Sequence, residues 1–336
     1  MSTTDHNTHD ALTRRAFLGI TGAAGLSLGV AGTAGQAVAA APAARESARG
    51  SRQVFYWISH GVVSDQIWAI ANSGALAAGR DLGVTVRTVF SANDIARHEE
   101  AFTAAIATRP AGIATSAPQP KVLDKLVAQA ISRGIPVVMM NSDDPTTHRI
   151  AYVGADLFRV GTLWANYLVS TAGLKRGDFV WMPVEVAGAS YQVLETQGVA
   201  SVFKPLGIKY EVAQVGQDPA TSISGMQDYL TAHGSSIKAM IGLGDLVTAN
   251  TSKVFKAVGL QPGHIPVVGW GNELATAQAV QQGYVQAAAW QFPDSEGYMP
   301  IVILKMIADG LGAGYDITTL KLYDRTSVGA FIKFLH

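Results

Sequence analysis

The side chains able to do chemistry fall in short stretches of this sequence, each rich in acids, amides or indoles. Residues 59–68 hold Ser59, His60, Asp65 and Trp68, and Ser116 follows further on. Asn141-Ser142-Asp143-Asp144 comes next, then Gly242-Leu243-Gly244-Asp245 and Trp270-Gly271-Asn272-Glu273. Catalytic patterns are lacking: there is no Gly-x-Ser-x-Gly elbow, no His-Glu-x-x-His and no Walker phosphate loop. Gly242-Leu243-Gly244 opens like a dinucleotide fingerprint, but Val247 takes the place of the third glycine. Asp143-Asp144 could touch a cation, yet a calcium loop spaces its acids at alternate positions. A turn ahead of Pro145 accounts for the same two acids without a ligand. The eight histidines are scattered, with no pair at metal-ligand spacing. These residues suit reversible recognition better than bond-making.

Bulk composition narrows the partner. The 336 residues are 48% hydrophobic and carry 25 basic and 25 acidic side chains. No global field draws such a chain to nucleic acid or anionic lipid. Its length suffices for one or two domains with full cores. With no cysteine, thiol catalysis, disulfides, Cys-held metal clusters and a lipid-bearing cysteine anchor are excluded. No cofactor and no metal are expected.

The first fifty residues read as an address. Leu12-Thr13-Arg14-Arg15-Ala16-Phe17-Leu18-Gly19 has the form of a twin-arginine export motif. A Gly/Ala-rich run follows, too weakly apolar for a membrane span, and then Ala37-Val38-Ala39, small enough for signal peptidase. A plain N-terminal tail on a cytoplasmic protein is the alternative. Residues 1–39 are expected to be a signal peptide and 40–52 a flexible leader. The mature chain would then be periplasmic or extracellular, without a lipid anchor.

A frame is needed to bring the chemical stretches together. From residue 53 on, short apolar runs alternate with helix-like segments. Strands are expected at 54–58, 84–89, 112–115, 136–140, 179–182, 209–212, 239–242, 267–270 and 285–290. Nearly continuous apolar runs of this length suit strands buried on both faces of a parallel sheet. Residues 124–131 carry apolar positions at helical spacing and stop at Gly134. Asp218-Pro219 opens another helix, the acid capping and the proline needing no donor. Gly207, Gly234, Gly259 and Gly283 are expected to close others. About thirty residues per strand–helix unit is what βαβ crossovers require. The fold class is therefore α/β. Nine strands exceed one typical sheet, so two doubly wound Rossmann-like lobes with a cleft between them are expected. The chemical stretches all lie just past carboxyl ends of strands, where open α/β sheets take their ligands.

The order of motifs resembles the type I periplasmic sugar-binding proteins of ABC transporters, the ribose- and galactose-binding group. Residues 64–74 match the family's first loop and helix, and Ala111-Gly112-Ile113-Ala114-Thr115-Ser116-Ala117-Pro118 looks like its third strand and loop. Gly134-Ile135-Pro136-Val137-Val138-Met139-Met140-Asn141 is similar to "Gly-Ile-Pro-Val-Val-x-x-Asp". Tyr152-Val153-Gly154-Ala155-Asp156 with Gly161 resembles the first crossing between lobes, and Trp290-Gln291-Phe292-Pro293 with Gly297 a later one. The resemblance implies a hinged pair of lobes, residues 53–155 with 292–318 and residues 156–291 with 319–336.

It also implies a set of ligand contacts. Asp65 stands at the family's hydroxyl-binding Asn and Trp68 at its stacking aromatic; an acid that only complements the dipole at a helix N-terminus and a core indole are the alternatives. Asn141 replaces the Asp that grips two hydroxyls, and Ser142 an Arg beside it. Glu195 stands where an Arg is common, Gly271 where an Asp is, with Asn272 next. Gly244-Asp245 replaces Asn-Asp, while Gln291 keeps the family residue. Trp270 fits the aromatic wall or mere packing; Ser116, Tyr191 and His60 complete the candidates. With these departures, aldose specificity does not carry over, and a polyol, deoxysugar or other small polar molecule stays open. The expected activity is non-enzymatic capture of a sugar-like ligand for a membrane permease, by a monomer. An exported nicotinamide-dependent oxidoreductase and a chemosensory binding protein that delivers its ligand to a receptor are the alternatives.

Overall fold

The computed structural model describes residues 52–335. The expected signal peptide and leader lie outside the described residues, apart from Arg52. The chain first alternates β1 (Val54–Ser59), α1 (Gln66–Asp81), β2 (Thr85–Phe90), α2 (Ile95–Ala107), β3 (Gly112–Thr115), α3 (Asp124–Ser132), β4 (Val137–Met140) and β5 (Ala151–Gly154). It continues as α4 (Leu157–Thr171), β6 (Phe179–Val184), α5 (Ser190–Leu206), β7 (Lys209–Gln214), α6 (Pro219–His233) and β8 (Ile237–Gly242). Then come α7 (Asp245–Ala257), β9 (Val267–Trp270), α8 (Leu274–Gln282) and β10 (Ala287–Trp290). It ends with α9 (Pro293–Ala308), β11 (Ile317–Thr318), β12 (Lys321–Asp324) and α10 (Gly329–Ile332).

Two six-stranded sheets result, ordered β11-β5-β4-β3-β1-β2 and β12-β10-β9-β8-β6-β7. In the first, Trp57 pairs with Thr88 on one side and Ala114 on the other, both parallel. Alternation along each strand then feeds two cores. Phe55, Trp57, Val138 and Met140 face α1 and α9, whereas Tyr56, Ile58, Val137 and Met139 face α2 and α3. The second sheet repeats this. Val180, Met182, Ile241 and Val268 pack against α4 and α5, and Trp181, Met240 and Val267 against α6, α7 and α8. Burial on both faces is why these strands read as unbroken apolar runs. The chain crosses between sheets after β5, after β10 and between β11 and β12.

Three strands go beyond the nine expected: β5, although its Ala151-Tyr152-Val153-Gly154 run is apolar and buried throughout, and β11 and β12. β5 is short, and β11 and β12 are edge strands with exposed positions; β12 pairs antiparallel to β10. Gly207, Gly259 and Gly283 take left-handed backbone, but Gly234 has φ −52° and leads into a 3-10 turn, Gly234–Ser236. Asp218 caps α6 by accepting from the Ala220 and Thr221 amides, as its sequence implies.

Candidate ligand-binding cleft

The loops after β1, β2, β4, β6, β7 and β8 and the end of β9 converge on one cavity of about 100 Å³, space for several waters. The first sheet supplies His60, Asp65, Trp68, Asn93 and Asn141; the second supplies Glu185, Tyr191, Gln217, Asp245 and Trp270. Gln291 enters from the crossing that follows β10.

Each wall is held from behind. Asp65 occupies the N-cap position of α1 with extended backbone, yet its carboxyl caps no amide and instead lines the cavity. Burial raises its pKa above the ordinary aspartate value. Trp68 stands edge-on to Trp57 and to His60, with ring centroids 6.2 and 4.9 Å apart. It is at once a core indole and a cavity wall. A Cβ on Gly61 would fall 1.9 Å from the Trp68 indole nitrogen, so only glycine lets the ring lie against this loop. His60 pairs through Nδ1 with the Ser116 hydroxyl at 2.7 Å. Burial, then the neighbouring His98, hold His60 at a pKa of about 3, so its ring is neutral.

Asn141 sits in left-handed backbone with φ 61° just past β4. Its amide nitrogen donates to Glu296 at 3.1 Å, leaving the carbonyl end of that amide as an acceptor. Across the cavity, Trp270 stands edge-on to Trp164 and donates its indole N–H to Glu195 at 2.9 Å. Asn272 is fully buried and donates through Nδ2 to both oxygens of Asp245 at 3.1 Å. Its own carbonyl accepts the Gln291 backbone N–H. Glu185 accepts from the Val247 amide at 3.2 Å and from the Tyr191 hydroxyl at 3.3 Å. A Cβ on Gly244 would lie 1.8 Å from the Glu185 carboxylate, so this approach to the start of α7 needs glycine.

Of the residues singled out by sequence, eight line the cavity: His60, Asp65, Trp68, Asn141, Tyr191, Asp245, Trp270 and Gln291. Ser116, Glu195 and Asn272 do not. They are fully buried behind it and orient His60, Trp270 and Asp245 respectively. Ser116 and Asn272 are strand-end side chains taken up by neighbouring loops, whereas Glu195 lies within α5 and is held under the Trp270 ring. Asp143 and Asp144 are also engaged elsewhere: Asp143 pairs with Arg149 and Asp144 accepts from the Thr146 amide. Glu185, Asn93 and Gln217 were missed. All three follow strands, β6, β2 and β7, so the strand-end rule that found the others applied equally to them.

The two halves touch on either side of the cavity. Gln66, at the start of α1, donates to the Leu335 carbonyl at 2.9 Å and accepts from the Leu274 amide at 3.1 Å. The Ser190 amide donates to the Pro118 carbonyl at 3.4 Å.

Residues 55–312 match the family model described as "Periplasmic binding protein domain". No curated protein matches the chain significantly. Solved structures do. A carbohydrate transporter from Acidothermus cellulolyticus, in complex with myo-inositol, is 24% identical with TM-score 0.76, covering 85% of this chain and 98% of its own. A glucose-galactose binding protein from Geobacillus stearothermophilus is 21% identical with TM-score 0.74, covering 82% and 98%. A carbohydrate transporter solute binding protein from Agrobacterium radiobacter, in complex with D-arabinose, is 20% identical with TM-score 0.76, covering 85% and 99%. Identities this low establish a shared fold.

Proposed function

The chain belongs to the periplasmic binding protein family, and on that premise we propose that it is an extracytoplasmic receptor for a small polyhydroxylated solute, delivering it to an ABC permease. One observation carries the reading. Polar side chains from both sheets meet in one cavity, and the Gln291 side-chain amide, in a residue only 3% exposed, finds no hydrogen-bond partner among the described residues. An amide that lines the cavity with no protein partner is free to bond a guest's hydroxyls. The arabinose and inositol bound in structural neighbours have the hydroxyl-rich chemistry this lining suits. Hydroxyls would meet Asp65, Asn141, Asp245 and Gln291, and a sugar's C–H face would meet Trp68 or Trp270.

Capture would work by closure. A ligand touching both lobes favours the state in which they meet, and the Gln66 bonds belong to that state. The moving bodies would be residues 53–155 with 292–318 and residues 156–291 with 319–336. Export through a twin-arginine signal and action as a monomer complete the proposal.

The oxidoreductase alternative meets a physical obstacle. A dinucleotide's pyrophosphate would need the start of α7, but the Glu185 carboxylate already accepts the Val247 amide there. A second anion at that point would be repelled. A thermal-shift screen of the mature protein against sugars and polyols, with mass spectrometry of any co-purified molecule, tests the reading. A rise with one narrow class supports it; a well-folded protein indifferent to the whole panel would refute it.

A further inference from the structure

The cavity is one-sided in charge. Asp65, Glu185 and Asp245 line it, and no Lys or Arg among the described residues does. None of the three makes an ion pair; the described ion pairs all involve Arg97, Arg149 or Lys305. Where the family resemblance places arginines, this chain carries Ser142 and Glu195. Glu273, Glu195 and Glu296 add further acids near the same walls, and the only other titratable side chains at the cavity are neutral His60 and Tyr191.

The hydrogen bonds around two of these acids suit the ionised form. Asp245 accepts from the Asn272 amide and side chain, and Glu185 from the Val247 amide and Tyr191 hydroxyl. Every described contact presents a donor to the carboxyl. Glu185 and Asp245 also sit at the start of α7, where the helix favours negative charge. The charges nonetheless repel one another. Burial first, then Glu273 and Glu185, raise Asp245 well above the usual carboxylate range, and burial first raises Glu185. Burial and mutual repulsion disfavour the ionised acids while their hydrogen bonds favour them, and a cation among them would offset both penalties.

Two observations independent of the acids point to an organic guest. The Gln291 amide and the Nε2 of His60, in residues 3% and 8% exposed, line the same cavity without partners among the described residues. No group of three or more His, Asp or Glu side chains among the described residues is arranged to hold a metal ion. We infer that the solute is cationic: a polyhydroxylated ring bearing a basic nitrogen, such as an amino sugar or aminocyclitol, whose ammonium sits between Glu185, Asp245 and Asp65 while its hydroxyls reach Gln291 and Asn141. Charge-assisted hydrogen bonds of this kind are about twice as strong as neutral ones, and the guest would relieve the mutual repulsion of the acids.

This inference rests on the cleft being the solute site, and the test separates the two. Calorimetry at neutral pH would compare matched pairs differing by one amine for one hydroxyl: D-glucosamine with D-glucose, D-galactosamine with D-galactose, and an inosamine with myo-inositol. The expected result is that the amine of at least one pair binds at least about tenfold tighter than its partner. In Glu185→Gln and Asp245→Asn proteins, with circular dichroism confirming the fold, that preference should collapse to within about threefold. Hydroxyl members binding as tightly as their amines would overturn the cationic assignment and leave the sugar-receptor reading standing. Binding by no member of any pair would count against both.

Discussion

Trp270 donates its indole N–H to Glu195 at 2.9 Å, fixing one aromatic wall of the cleft to a carboxyl that no water reaches. The other oxygen of Glu195 has no partner among the described residues. Burial, the largest cause, pushes this acid well above the usual carboxylate range. The pair links α5 to the end of β9, so the ring's angle depends on a residue outside the cavity.

Glu195→Leu should free that ring. The lost hydrogen bond is worth about 1 kcal/mol, about fivefold in affinity if Trp270 stacks on the ligand. Glu195→Gln keeps an acceptor at the same place and should bind within about twofold of the parent. Tryptophan fluorescence would report the ring and calorimetry the affinity. Unchanged binding in the leucine variant would remove Trp270 from the ligand's surface.

Gln66 offers a test of closure. Its amide spans from α1 to the Leu274 amide and the Leu335 carbonyl, and Ala would lose both bonds. At about 1 kcal/mol each, the closed state should weaken enough to cost up to about thirtyfold in ligand affinity. Solution scattering should show a larger radius of gyration for ligand-free Gln66→Ala than for the parent. Equal radii and equal affinities would mean these bonds do not govern the lobes.

The cleft acids make a pH prediction. Burial, then the charges of Asp65 and Glu185, push Glu273 up to about 7 from 4.5. Below about pH 4.5 the group is protonated in both folded and unfolded chains and has no effect on pH dependence. Between those values the unfolded chain loses a proton that the folded chain keeps, so stability falls as pH rises, levelling off above about 7. Glu273→Gln removes this loss. Parent and variant should unfold alike near pH 4.5, and the variant should be more stable by up to about 3 kcal/mol above pH 7. His60 and His98, held at about 3 and about 4 largely by burial, act in the opposite sense: their contribution is lost as pH falls below 6.5. That effect is common to both proteins and cancels. Urea titrations at the two pH values would check it, and a gap equal at both would contradict the shift.

Legibility in the sequence followed physical rules. Doubly buried strands announce themselves because both faces must be apolar, which is why β1, β4 and β9 stand out and the edge strands β11 and β12 do not. Strand-end loops were equally legible, and Asp65, Asn141 and Gln291 follow from them. Sequence gave no means of telling which residues in such a loop reach the cavity and which stop one layer short. Asn272 and Asp245 are both polar strand-end residues, yet only Asp245 lines it. The orientation comes from contacts between loops distant in sequence, such as Asn272 with Gln291. Glu185 directly follows β6, whose apolar run continues through Pro183 and Val184, so it was as legible as the residues that were found.

The most direct test is titration of the mature protein, and of Gln291→Ala and Asn141→Ala, with the compound that most raises its melting temperature. The expected outcome is one site per chain at about micromolar affinity. Each variant should bind at least about tenfold more weakly, with its fold intact by circular dichroism. Full affinity in both variants would place the ligand somewhere other than this cleft.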